Sequence, residues 1–122
     1  MYIAVVHVQR ACGVGMDKIE RKYVDWTKTG KNLYLLRNDN INLRRYVCFV
    51  LNLHKGNCDG DCINCRYEMD NSISRKELAD VLGTSDSVIA NWEKGKTPVG
   101  IEDLLLYCDI CGIGLNDILV FE

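Results

Sequence analysis

The run "SRKELADVLGTSDSVIANWEKG", residues 74 to 95, decides the fold, because it contains the start and stop signals of two helices. Ser74 followed by Glu77 is a capping box: the serine oxygen meets an orphan N–H of the first turn, and the glutamate reaches back to the serine's own N–H. Ile73 just before the box and Leu78 just inside it stand at the two positions of a hydrophobic staple, so a helix is expected to begin at Arg75 and to end at Gly83. Ser85 can cap a second helix, with Asp86 and Glu93 bracketing it and Val88, Ile89 and Trp92 on its buried side. Lys94-Gly95 closes that helix, since glycine tolerates the left-handed conformation a helix end needs.

Beyond Pro98 a third helix is expected to carry Ile101, Leu104, Leu105 and Cys108, and a last one to cover Leu115 to Val120. The closing stretch "GIGLNDILVFE" holds Ile113, Leu115, Ile118, Leu119, Val120 and Phe121. A short terminal helix cannot bury all of these in one small domain, so self-association as a homodimer is expected through this end, unless the strand-like "YIAVV" near the start covers it. Upstream, "NLRRYVCFVLNL" reads as a helix with Asn42 as N-cap and Leu43, Tyr46, Val47, Val50 and Leu53 as its apolar stripe. Before it, Ile19, Tyr23, Trp26, Leu33 and Leu36 recur at near-helical spacing, with Gly30 interrupting, which suggests one or two short helices. Lys55 to Cys65 is a polar, Gly-containing loop.

A chain of 122 residues that is 48% hydrophobic can build one compact domain with a real core, but not two enzyme-sized units. The net charge of −2 hides an asymmetry: residues 1–71 carry 11 Lys and Arg against 8 acids, residues 72–122 only 4 against 9. Attraction to nucleic acid must then rest on local basic patches. "YIAVV" is broken by His7, Gln9 and Arg10 and so lacks the form of a signal peptide, and no segment approaches the length of a membrane span. The expected location is cytoplasmic, where seven cysteines at 12, 48, 58, 62, 65, 108 and 111 stay reduced.

Taken together, Ser74, Glu77-Leu78-Ala79, Leu82-Gly83, Ser85, Val88-Ile89, Trp92-Glu93, Gly95, the following leucines and Ile113 make residues 74–119 resemble the helix-turn-helix domains of the Cro and phage-repressor family, also called xenobiotic-response-element regulators. "TGKNLYLLR" at 29–37 is similar to the family's opening helix, which would make residues 40–70 an insertion. The division that follows is an N-terminal extension over 1–28, a first helix region with an inserted helix and Cys-rich loop over 29–71, and the helix-turn-helix domain over 72–122. The resemblance implies an all-α domain of about five helices that binds double-stranded DNA as a transcriptional regulator, a repressor, with the Ser85–Glu93 helix in the major groove and a dimer on a two-fold site. It places Ser85, Asp86, Ser87 and Asn91 at base edges, and Arg75, Lys76, Thr84, Lys94 and Lys96 at phosphates. Residue chemistry agrees, since Asn91 has the donor–acceptor pair that suits adenine, and Asp86 can only accept, as from cytosine, unless it merely satisfies the helix dipole. The other class compatible with the sequence is a helix-turn-helix-shaped protein-interaction module, such as an antirepressor or phage-encoded inhibitor, since a fold does not fix its function.

Apart from Cys12, whose surroundings carry no readable pattern, the cysteines divide into two groups. Cys108 and Cys111 sit at helical spacing, at positions where the family resemblance implies small or aliphatic core residues, and Cys48 shares its helix with the apolar stripe, so packing accounts for them. Cys58, Cys62 and Cys65 lie in the polar loop, where burying sulfur gains little. Their C-x3-C-x2-C spacing is that of a radical-SAM cluster motif, but the barrel that chemistry requires does not fit this length, and no enzyme activity or small-molecule substrate is expected. Zinc wants four N or S ligands, and His54 completes a Cys3His set with Cys48 as the substitute; an iron–sulfur cluster and three idle thiols are the other outcomes.

Overall fold

Asp25 opens the first helix of the computed structural model, which describes residues 21–53 and 72–122: its carboxylate accepts the Lys28 backbone N–H at 3.0 Å. That helix, α1 (Trp26–Asp39), runs unbroken through Gly30. A Cβ built on Gly30 would stand 2.3 Å from the Trp92 carbonyl oxygen and 2.7 Å from that of Glu93, so the glycine marks a place where two backbones meet rather than an interruption. Tyr23 lies outside the helix and is exposed.

Asn40 ends α1 and starts α2 (Ile41–Leu53), its side-chain oxygen accepting from the Leu43 N–H at 2.9 Å. The cap is therefore Asn40 rather than the expected Asn42. The Asn42 amide instead donates to the Cys111 carbonyl at 3.2 Å, tying the start of α2 to the end of the last long helix. Leu43 and Val47 are fully buried, whereas Tyr46, expected on the same stripe, is 42% exposed. The next two helices follow the sequence signals, with α3 (Arg75–Leu82) starting on the Ser74–Glu77 capping box and α4 (Asp86–Lys94) starting on Ser85. Helix α5 (Ile101–Cys111) buries Leu104, Tyr107, Cys108 and Cys111, the i, i+3, i+4, i+7 set. Ile101 and Leu105, expected inside, are 57% and 47% exposed because they stand on the adjoining face.

The tail departs from the expected helix over Leu115 to Val120. Only a 3-10 turn, Leu115–Asp117, forms there, and the chain then runs extended alongside the residues that precede α1. The Asp25 N–H donates to the Val120 carbonyl at 2.7 Å, the Glu122 N–H donates to that of Tyr23 at 3.0 Å, and the Val120 N–H reaches the buried Thr29 hydroxyl at 3.0 Å. These bonds satisfy the backbone without a helix. They also alter the expected apolar strip: Ile118 is fully buried, Ile113, Leu115 and Leu119 pack on the core, and Phe121 alone among these residues is exposed. The cover comes from residues 23–29, while "YIAVV" lies outside the described residues.

Among the described residues the fold is all-α, with five helices and no strand beyond the single Val24–Phe121 bridge. No helix among those residues is long and apolar enough to cross a membrane. Cys108 and Cys111 serve as core filler, as their spacing predicts. Burial pushes both thiols up, that of Cys111 to about 11, so little reactive thiolate forms near neutrality. In the folded protein at pH 8, the tryptic peptide Thr97–Glu122, which carries both, should resist iodoacetamide and become doubly alkylated in urea; mass spectrometry would read the difference.

Candidate nucleic-acid interface

Gly83 turns the chain from α3 into α4 in the left-handed region at φ 75°, and the Thr84 N–H returns to the Ala79 carbonyl at 3.0 Å. Ser85 then caps α4 through the Val88 N–H at 3.3 Å, and its hydroxyl lies 3.1 Å from that of Ser87. At the other end Gly95, also left-handed, donates to the Trp92 carbonyl while Lys96 donates to that of Asn91, which closes a Schellman motif. Both ends of α4 are thereby fixed by short-range bonds that the sequence specifies.

A buried charge cluster fixes its orientation. Ile89, Trp92 and Glu93 are the buried residues of α4, and Glu93 is a carboxylate among apolar neighbours. Arg37 on α1 grips it with two bonds, Nε to Oε2 at 2.7 Å and Nη2 to Oε1 at 2.9 Å, and Arg75 on α3 adds Nε to Oε1 at 2.9 Å. The third arm of Arg37, Nη1, donates to the Ile73 carbonyl at 2.9 Å, and its guanidinium lies over the Tyr34 ring. Hydrogen bonding to Glu93 outweighs burial and holds the Arg37 pKa above its usual range. One carboxylate thus joins three helices and the residue just ahead of the capping box.

With its inner face so held, α4 turns the other side outward. Ser85, Asp86, Ser87, Lys94 and Lys96 are exposed, as is Lys76 on α3, while Thr84, Arg75 and Asn91 are half-buried. Ser85 and Ser87 touch each other, whereas Arg75, expected at a phosphate, has its Nε committed to Glu93. His54, Cys58, Cys62 and Cys65 lie outside the described residues; among the described ones no group of three His, Cys, Asp or Glu comes together as a metal site. Cys48, the substitute ligand, is half-buried and accepts from the Asn52 amide at 3.3 Å. Sequence reasoning misses the Arg37–Glu93 pair. The available signal is Glu93 itself, a charge at i+4 from Ile89 and beside Trp92 on an inward face, which demands a buried partner.

Two capped helices joined by a left-handed turn, with an anchored second helix that shows a polar outer face, define the helix-turn-helix class. Residues 69–118 match a family model described as Helix-turn-helix, so over this segment the chain is similar to helix-turn-helix regulators of the Cro and phage-repressor type. The match leaves α1, the source of Arg37, outside it. Neither the curated proteins nor the solved structures contain a match to the chain.

Proposed function

We propose that the protein is a sequence-specific transcriptional repressor that binds as a homodimer to a two-fold DNA site, with α4 in the major groove. The observation that carries this reading is the division of α4 between a buried Ile89-Trp92-Glu93 side and an outward polar side made by Ser85, Asp86, Ser87 and Asn91. Lys76, Lys94 and Lys96 flank that side as phosphate contacts, with Thr84 and the uncommitted part of Arg75 beside them. For the dimer contact, Ile101 and Leu105, an exposed i, i+4 pair on α5, replace the covered C-terminal strip.

A gel shift on the DNA upstream of the protein's own gene, across a salt series, tests the reading. Asn91→Ala should weaken binding to the preferred site by about 1–3 kcal/mol and leave random DNA almost unaffected, because it removes a base-edge contact. Lys96→Ala should weaken both alike. Identical behaviour of the two variants would refute the assigned face. No binding to either DNA at low salt would instead favour the protein-interaction module.

We further propose that residues 40–70 are an insertion whose Cys-rich loop is held by zinc on His54, Cys58, Cys62 and Cys65. The support is chemical: a polar loop has few apolar side chains to offset its ordering entropy, and thiolate ligation of a metal supplies that free energy. Elemental analysis of protein purified without added metal should find zinc bound stoichiometrically, and Cys62→Ser/Cys65→Ser should abolish it. Metal-free protein would end the claim.

A further inference from the structure

Two lysines on α1 have no evident structural use. Lys28 and Lys31 are exposed, and Lys28 stands in the first turn, at the positive end of the helix dipole, which favours acids and disfavours cations. The first turn of α1 contains no acid at all. Helix stability therefore gives no account of the placement.

Packing does suggest one. Gly95 lies between Lys94 and Lys96, and a Cβ built on it would stand 2.6 Å from the Thr27 Cα and 2.8 Å from the Thr27 nitrogen. The first turn of α1 is thus seated directly on the turn that carries those two lysines. One turn later, Gly30 rests on the carbonyls of Trp92 and Glu93. Lys31 is the i+4 neighbour of Thr27 and Lys28 is the next residue, so both exposed lysines lie in the end of α1 that is seated on the turn carrying the exposed Lys94 and Lys96. The acids at this corner do little to cancel them. Glu93 is buried and already paired with Arg37 and Arg75, and Asp25 spends one carboxylate oxygen on the Lys28 backbone N–H. Among the described residues, none of the four lysines makes an ion pair.

We propose that Lys28 and Lys31 extend the Lys94–Lys96 corner into a continuous phosphate-gripping edge, through which α1 holds the DNA backbone beyond the bases that α4 faces. The inference rests on the DNA-binding reading and adds to it a contact surface outside the family-matched segment. It also locates the local attraction that an acidic C-terminal half requires.

The test is fluorescence anisotropy with the full chain, on its upstream DNA and on a random-sequence linear duplex, across a salt series. Lys28→Ala/Lys31→Ala should weaken both complexes by the same factor and make the slope of log K against log salt shallower by about 1.8, the share of two phosphate contacts. Lys28→Arg/Lys31→Arg should restore affinity and slope, and circular dichroism should show the fold unchanged in both variants. An unaltered slope in the alanine variant, while the parent chain binds, overturns the proposal, as does a loss confined to the upstream DNA. If the parent chain binds neither duplex, the functional reading has failed and this edge falls with it.

Discussion

Glu93→Ala should lower folding stability by about 3–5 kcal/mol, the range seen when one partner of a buried ion pair is removed. The substitution strands the Arg37 guanidinium, which lies between α1, α4 and the Ile73 carbonyl, and leaves two of its bonds without an acceptor. Small domains are stable by about 5–15 kcal/mol in total, so much of the margin would go. Arg75→Ala should cost far less, about 0–1 kcal/mol, because that side chain is 36% exposed and can be replaced by water. Replacing both members, as in Arg37→Met/Glu93→Leu, should cost much less than Glu93→Ala alone, since no buried charge remains. Urea unfolding followed by tryptophan fluorescence would measure all three, Trp92 lying next to Glu93 in α4. A Glu93→Ala loss below about 1 kcal/mol would mean that the cluster is solvated in solution and does not orient α4.

Gly30→Ala sets two rules against each other. In an ordinary helix interior the change stabilises by about 1 kcal/mol, because alanine loses less backbone freedom. At this position the new methyl would lie 2.3 Å from a carbonyl oxygen of the α4 backbone, which no side-chain rotation can relieve. We expect a net loss of at least about 2 kcal/mol, in the range of overpacked cores, with α1 displaced from α4. The same urea measurement decides the sign, and a gain in stability would show that the two helices are not so close.

The contrast between these sites shows what a sequence makes legible. The Ser74 box, Gly83, Ser85 and Gly95 all act within a few residues of themselves, so α3, the turn and α4 can be located from local chemistry, together with the outward Ser85, Asp86 and Ser87. Gly30 reads as a break in the sequence because its requirement comes from Trp92 and Glu93, far along the chain. The tail has helical apolar spacing, yet Tyr23, Asp25 and Thr29 offer its backbone bonds that no inspection of residues 115–122 reveals. In each of these cases the deciding partner is distant in sequence.

The Arg37–Glu93 bond spans 56 residues, and that separation has a consequence during synthesis. At roughly 5–20 residues per second, about 3 to 11 seconds pass between translation of the arginine and of its partner. Through that interval Leu33 and Arg37, both destined for burial, have no α4 to meet. The first helix is made early and docks late, so the nascent chain depends on α2, the next segment to emerge, for whatever shelter its apolar side receives.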